Sequence, residues 1–156
     1  MKDVTFGDIE YEFGWRGLYS YSIFGKTYSV KLVIPCDAGE EIERSQREAF
    51  AQFELTKDRL VGAAAHAIYV YYLELADEVR ERVGPASALQ IAPMIEKIDK
   101  LANIVTPTEF LVQQSLGSNK RIIGLLFDCS WDSSLGLAVK FEDERLVGVG
   151  TQDIVL

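Results

Sequence analysis

Residues 121–155 read RIIGLLFDCSWDSSLGLAVKFEDERLVGVGTQDIV. This stretch contains three apolar runs, and two short polar segments separate them, one around Trp131 and one at residues 142–144. Apolar runs of strand length that alternate with turn residues are typical of an antiparallel meander. We therefore predict three consecutive antiparallel strands at the C-terminal end of the chain.

The N-terminal end shows a second strand-like pattern. Ile9, Tyr11 and Phe13 alternate with acidic residues, which predicts a strand with one apolar and one acidic face. Two further strands are predicted at residues 18–24 and 27–34, with a turn at Gly25-Lys26 between them. If Tyr19 and Tyr21 of the second strand point outward, they form an aromatic patch that could bind a partner.

Helical patterns fill the middle of the chain. Ser45 and Glu48 have the spacing of a capping box, so a short helix should begin there and bury Ala49, Phe50 and Phe53. Thr56 can cap a longer helix that continues to about Arg82 and stops at Gly84-Pro85. A short third helix is predicted at residues 94–102, followed by a strand at residues 108–114.

The long helix is apolar on two sides. Its main stripe comprises residues at helical spacing: Leu60, Val61, Ala64, Ile68, Tyr71, Leu75 and Val79. Its other side is also largely apolar: Ala63, His66, Tyr69, Val70 and Leu73. A helix that is apolar nearly all round is usually buried on both faces, so we expect the sheet on one side and the short helix on the other. The alternative is that the second face is an interface.

The order of strands, helices and strands predicts the α+β class. We expect a mainly antiparallel sheet made of N- and C-terminal strands, with the central helical segment packed on it. A chain of 156 residues is long enough for one core, so we expect a single domain over residues 1–156.

Composition limits the classes of partner. The formal net charge is -8, which opposes binding to the phosphates of nucleic acids and suits a basic protein partner. No apolar run approaches the roughly 20 residues that span a bilayer, and the first residues contain no apolar signal core, so we expect a cytoplasmic protein without membrane association. Cys36 and Cys129 lie in apolar contexts and are predicted to be buried free thiols.

The residues give little support to catalysis. The single histidine, His66, lies mid-helix among apolar residues and is interpreted as a structural histidine whose hydrogen bonds are satisfied. One histidine and two unpaired cysteines argue against a zinc site, and no phosphate-binding loop is present. We predict no catalytic residues, no metal and no cofactor. The carboxylates of the C-terminal meander leave one alternative open, a small ligand-binding or carboxylate-dependent hydrolytic domain.

Several C-terminal segments carry a resemblance to a known family. They are Gly124-Leu-Leu-Phe127, Cys129, Trp131-Asp132, Leu135-Gly-Leu137, Val149-Gly150 and Gln152-Asp153. In these the chain resembles an uncharacterised bacterial domain family whose members occur beside polymorphic-toxin and immunity genes. The resemblance implies an immunity-type role, with no catalytic residue to transfer.

We therefore expect a protein-binding module, such as an immunity protein that neutralises a basic toxin domain. Two alternatives are a homodimer and a housekeeping oligomer without a ligand. Two acidic segments are candidates for partner binding. Residues 37–58 contain seven acidic and three basic residues, and residues 128–144 contain five acidic residues and one basic residue. Each segment therefore has a local charge of -4. Trp131 is either an aromatic anchor for the partner or a lid on the core. The candidate residues are Asp37, Glu40, Glu41, Glu43, Trp131, Asp132, Glu142, Asp143 and Glu144.

Overall fold

The computed structural model describes residues 1–156 and consists of one large sheet with helices on one of its faces. Nine strands are present, of which the first two pair only with each other. They are β1 (Lys2–Asp3), β2 (Gly7–Asp8), β3 (Glu10–Tyr11), β4 (Trp15–Ile23), β5 (Lys26–Ile34), β6 (Val105–Gln113), β7 (Ile122–Cys129), β8 (Asp132–Glu142) and β9 (Arg145–Gly150).

Strands β3 to β9 lie side by side in chain order. All neighbouring pairs are antiparallel except β5 and β6, which run parallel with Leu32 opposite Phe110. The helices connect β5 to β6, and a long crossover of this kind is what a parallel pair requires. The α+β prediction is therefore confirmed, with the N- and C-terminal meanders joined along this one parallel seam.

Three α-helices and two 3-10 turns complete the fold. They are α1 (Arg44–Leu55), α2 (Lys57–Val83), α3 (Ala88–Ile91), and the 3-10 turns Ile98–Asn103 and Gln152–Val155. The predicted third helix at residues 94–102 is wrong in kind, because the chain there forms an irregular segment followed by the first 3-10 turn. The long helix agrees with its predicted span to within one residue, and Gly84 ends it with a φ of 81°.

The cap of helix α1 lies two residues earlier than predicted. Glu43, not Ser45, is the capping residue, and its backbone N–H donates to Oε1 of Gln46 at 2.9 Å. The Glu43 carboxylate also accepts the N–H of Ser115 at 2.9 Å. Because this contact comes from the loop after β6, tertiary structure fixes where the helix starts.

Helix α2 packs one face on the sheet and leaves the opposite face exposed. The buried residues are Leu60, Val61, Ala64, Ile68, Tyr72, Ala76 and Val79. Tyr72 and Ala76 therefore replace Tyr71 and Leu75 of the predicted stripe, and these latter two are only half-buried. The expected burial of the second face is wrong as well, because Ala63, His66, Val70 and Leu73 are exposed.

Two predictions for the N-terminal strands are corrected, one on the first strand and one on the tyrosines of the second. Strand β3 has only two residues, and Phe13 is 94% exposed rather than on a buried face. Tyr19 and Tyr21 both point into the core beneath the helices, so the outward aromatic patch does not form there. A smaller cluster on the other face of the sheet joins Leu111 and Leu126 to Val155 of the last 3-10 turn.

Candidate protein-binding surface

The C-terminal acidic segment forms the hairpin turn between β8 and β9. Asp143 and Glu144 occupy the two central positions with φ of 49° and 60°. Two consecutive left-handed residues are the signature of a type I′ hairpin turn, which fits the twist of the flanking strands. The turn predicted at residues 142–144 is therefore present.

Basic side chains neutralise most of the charge of this turn. Glu142 pairs with Lys120 at 3.1 Å, and Glu144 pairs with Arg121 at 2.8 Å through two parallel N–H donations. The hydrogen bond from Lys120 holds the pKa of Glu142 below its usual value. The Asp143 carboxylate accepts the backbone N–H of Arg121 at 3.0 Å. These three carboxylates are thus engaged within the protein.

Trp131 and Asp132 also have structural contacts. Trp131 is buried, its ring lies 5.4 Å from that of Tyr72, and its carbonyl accepts a hydrogen bond from Arg82 at 3.1 Å. The Asp132 carboxylate accepts two backbone N–H groups of its own strand β8, that of Ser134 at 3.1 Å and that of Leu135 at 2.9 Å. Trp131 closes the end of the core over α2 and offers little surface to a partner.

Glu43 differs from Asp37, Glu40 and Glu41 because its carboxylate is hydrogen-bonded within the protein. Its carboxylate accepts hydrogen bonds from the Ser45 hydroxyl and the Ser115 N–H, both at 2.9 Å. The backbone hydrogen bond from Ser115 lowers the pKa of Glu43. This carboxylate joins the start of α1 to the loop after β6, so it serves the fold.

Asp37, Glu40 and Glu41 form what we call the acidic loop. All three are exposed, and none of their carboxylates takes part in an ion pair or a side-chain hydrogen bond. Arg47 lines the same surface groove as Glu40 and Glu41, but its guanidinium group binds Asp3 through bonds of 2.8 and 3.0 Å. The acidic loop therefore presents three exposed carboxylates without an ion-pair partner, of which Glu41 also attracts the Arg47 guanidinium group at longer range.

Aromatic side chains lie beside the acidic loop. The Tyr11 hydroxyl donates to the carbonyl of Cys36 at 2.9 Å, and its ring packs edge-on against Trp15 with centroids 5.3 Å apart. Phe13 lies at the tip of the turn between these two residues with a φ of 55°. Gly14 follows with a φ of 114°, and a Cβ atom at this position would lie 3.3 Å from the carbonyl oxygen of Ile34. We call Tyr11, Phe13 and Trp15 the aromatic turn.

Sequence reasoning placed the aromatic turn in a strand. The alternation of apolar and acidic residues favours a half-buried strand, whereas Gly14 at the end of that alternation favours a turn. The structure thus adds an exposed aromatic group to the charged residues that the sequence had indicated.

The other chemically active residues lie apart from one another. His66 is exposed on α2, and its side chain forms no hydrogen bond with another protein group. The interpretation as a structural histidine with satisfied hydrogen bonds is therefore wrong. Cys36 and Cys129 are buried free thiols, as predicted, and burial raises the pKa of Cys129 to about 11. No group of three or more His, Cys, Asp or Glu side chains is arranged to hold a metal ion.

The largest groove lies where the N-terminal segment crosses β4 and β5. Its volume is about 810 Å³, and its charged lining comes from Asp8, Glu10, Glu12, Arg16 and Lys31. The carboxylates of the C-terminal meander are not among its lining residues. The alternative of a carboxylate cleft between sheet and helices therefore receives no geometric support from those residues.

The fold and the surface together define an α+β protein with an exposed acidic loop beside an exposed aromatic turn. No helix in the structure combines the length and the apolar character needed to cross a membrane. The chain belongs to the family described as "Domain of unknown function (DUF6985)", whose model matches residues 5–156. Neither the curated proteins nor the solved structures include a match. The resemblance to an uncharacterised domain family is therefore confirmed over nearly the whole chain.

Proposed function

We propose that this protein is a protein-binding module that neutralises a basic bacterial toxin domain by direct contact. The observation that carries the proposal is the acidic loop, since Asp37, Glu40 and Glu41 are exposed and form no ion pair within the chain. A partner with a basic surface, such as a nuclease that must hold phosphates, is attracted to such a loop. Complementary charge of this kind accelerates encounter.

The aromatic turn supplies the apolar contact that charge alone does not give. Phe13 gains almost no burial in the free protein and adopts a left-handed backbone conformation, which costs an L-residue roughly 1–2 kcal/mol. Aromatic side chains that fill a pocket on a partner contribute much of the binding energy in protein interfaces. A role in binding accounts for an exposed aromatic residue at a position that folding disfavours.

The two acidic segments differ in their suitability as a binding surface. Binding through Glu142 and Glu144 would compete with their contacts to Lys120 and Arg121. Binding through the acidic loop breaks no contact within the protein. We therefore assign partner binding to the acidic loop and the aromatic turn, and a structural role to the C-terminal acidic hairpin.

The test uses the product of the open reading frame next to this gene as the binding partner. Association is followed by stopped-flow fluorescence at several salt concentrations, with wild type and the triple variant Asp37→Asn, Glu40→Gln, Glu41→Gln. We expect the triple variant to associate roughly 10-fold more slowly at low salt and to show a flatter dependence on salt. Dissociation should change less, because rim charges act mainly on the rate of encounter.

A matched triple variant controls for the overall charge. Glu78→Gln, Glu96→Gln and Asp99→Asn remove three exposed carboxylates that have no ion-pair partner, so the net charge changes by the same amount elsewhere on the surface. The control should associate within about 2-fold of wild type. Equal slowing by both triple variants would refute the acidic loop as the steering site.

Phe13→Asn tests the aromatic contact separately. Asparagine tolerates the left-handed conformation, so the variant should keep its fold and its association rate. We expect dissociation to become at least about 10-fold faster, which corresponds to the loss of a central aromatic contact. An unchanged dissociation rate would exclude Phe13 from the interface.

A further inference from the structure

The exposed face of α2 has an unusual composition for a surface helix. From Leu60 to Leu73 the chain contains no Asp, Glu, Lys or Arg. The sheet covers only the side of this segment that carries Leu60, Ala64, Ile68 and Tyr72. A solvent-facing helix side is normally polar, so an uncharged outer side over four turns indicates a surface with a partner.

The outward side of α2 is organised as a single ridge. It consists of six residues that alternate in steps of four and three: Arg59, Ala63, His66, Val70, Leu73 and Asp77. All six are exposed, with Val70 at 41% and Leu73 at 51%. Alternating steps of four and three average 3.5 residues, which is the spacing by which two helices pack along a common seam. We call these six residues the outer ridge.

The ends of the outer ridge carry opposite charges. Arg59 lies at one end, and Asp77, whose side chain is 96% exposed, lies at the other. The four residues between them include no Asp, Glu, Lys or Arg. We propose that the outer ridge binds a second copy of this chain, with the two α2 helices antiparallel.

The numbering of the ridge supports this occupant. An antiparallel pair centred on residue 68 places Arg59 against Asp77 of the other copy at both ends of the contact. The same register places Ala63 against Leu73, a small side chain against a large one, and His66 against Val70. A parallel pair would bring like charges together at both ends, and a basic partner would find no negative charge along the centre of the ridge. The ridge is therefore complementary to itself in one orientation.

This proposal concerns a different surface from the acidic loop and does not depend on the proposed function. The contact runs from Arg59 to Asp77, which is about 27 Å of helix at 1.5 Å per residue. One helix face of this length buries roughly 1,000 Å² or less, which is typical of a weak, reversible interface. Association should therefore be sought at protein concentrations from about 1 µM to 1 mM.

Sedimentation velocity of the full chain over this concentration range tests the interface. We expect wild type to convert from monomer to dimer, and Val70→Glu to raise the dissociation constant at least about 10-fold because a charge would be buried at the centre of the seam. Leu116→Glu is the matched control, since Leu116 is an exposed apolar residue in the loop after β6. Its dimer should match that of wild type. Circular dichroism confirms that each variant is folded.

Charge reversal tests the orientation. Arg59→Asp or Asp77→Arg alone places like charges at both ends and should raise the dissociation constant roughly 5- to 10-fold at low salt. The double variant Arg59→Asp, Asp77→Arg should return to within about 2-fold of wild type. Arg80, which pairs with Asp77 at 2.9 Å, keeps its hydrogen bonds to the carbonyls of Ala92 and Pro93 in these variants.

Three results would overturn the proposal. A wild-type chain that stays monomeric at 1 mM, roughly the upper limit of a weak specific interface, would show that the ridge does not bind a second copy. A dimer that persists in Val70→Glu would place the interface elsewhere. A double variant as weak as the single variants would refute the antiparallel register.

Discussion

Gln46 is the one polar residue that the core of this protein encloses completely. Its Nε2 group donates to the carbonyls of Pro35 at 2.8 Å and Val112 at 3.0 Å, and its Oε1 accepts the Glu43 N–H at 2.9 Å. It therefore ties the start of α1 to the ends of the two parallel strands. Gln46→Met keeps the length of the side chain and removes all three hydrogen bonds.

The expected loss of stability follows from these contacts. Each hydrogen bond contributes about 1 kcal/mol net, and two carbonyls and one N–H group would be left without their partner. The apolar replacement recovers part of this by burying a thioether in place of an amide. We therefore expect Gln46→Met to lower the free energy of unfolding by about 3 kcal/mol.

Urea unfolding measured by circular dichroism gives this free energy, and an unchanged slope would show that the unfolded state is unaffected. Gln52→Met is the matched control, because it makes the same substitution at an exposed position of the same helix. It should change stability by no more than about 0.5 kcal/mol. A loss below about 1 kcal/mol in Gln46→Met, or equal losses in the two variants, would refute the assignment of Gln46 as the link between α1 and the parallel seam.

Two further predictions concern the core and the N-terminal segment. Ile68 is fully buried between α2 and the sheet, so Ile68→Ala should cost about 2–4 kcal/mol in urea unfolding. Val70→Ala on the exposed face should cost under about 0.5 kcal/mol, and similar losses in the two variants would show that the core face is assigned wrongly. Asp3, whose side chain is 5% exposed, binds Arg47 through two bonds, and this contact lowers the pKa of Asp3 from 3.8 to about 2. A lowered pKa stabilises the fold above the unfolded pKa, and that contribution disappears as the pH falls from about 4 to about 2. Asp3→Asn should therefore lower the free energy of unfolding by about 1 kcal/mol at pH 7, a value reduced to allow for the solvent exposure of Arg47. Urea unfolding at several pH values should show that the difference from wild type vanishes near about pH 2. A difference that is constant with pH would contradict this.

The elements that local patterns describe were predictable. Strands β7, β8 and β9 follow the apolar runs of residues 121–155, because alternation and turn residues act within a few positions of each other. The type I′ turn at Asp143-Glu144 is likewise a local feature. The class of fold followed from the order of these elements along the chain.

Features that depend on distant contacts were not predictable. Ser45 and Glu43 are both able to cap a helix, and the choice depends on Ser115, which is 72 residues from Glu43. Tyr71 and Tyr72 are chemically identical neighbours, yet one residue turns the helix by about 100°, so only packing against the sheet decides that Tyr72 is the core residue.

The charge of the two acidic segments gives the clearest case. Each has a local charge of -4, and counting residues cannot rank them. In the folded chain, Lys120 and Arg121 reach the C-terminal hairpin from the loop before β7 and neutralise it, whereas Arg47 turns to Asp3 and leaves the acidic loop exposed. Cations that lie outside a segment therefore decide whether that segment can attract a partner.

The same reasoning applies to helix α2. Its sequence is apolar on two sides. Such periodicity predicts that a face is buried, but it does not identify the element or partner that covers the face. The sheet covers one side through Ile68 and Tyr72, and no element of this chain covers the side with Val70 and Leu73. The acidic loop is charged and the outer ridge is nearly neutral, so the two surfaces call for partners with different charge. A basic partner at the loop and a second copy at the ridge account for both surfaces, and the triple charge variant and Val70→Glu should each affect only one of the two interactions.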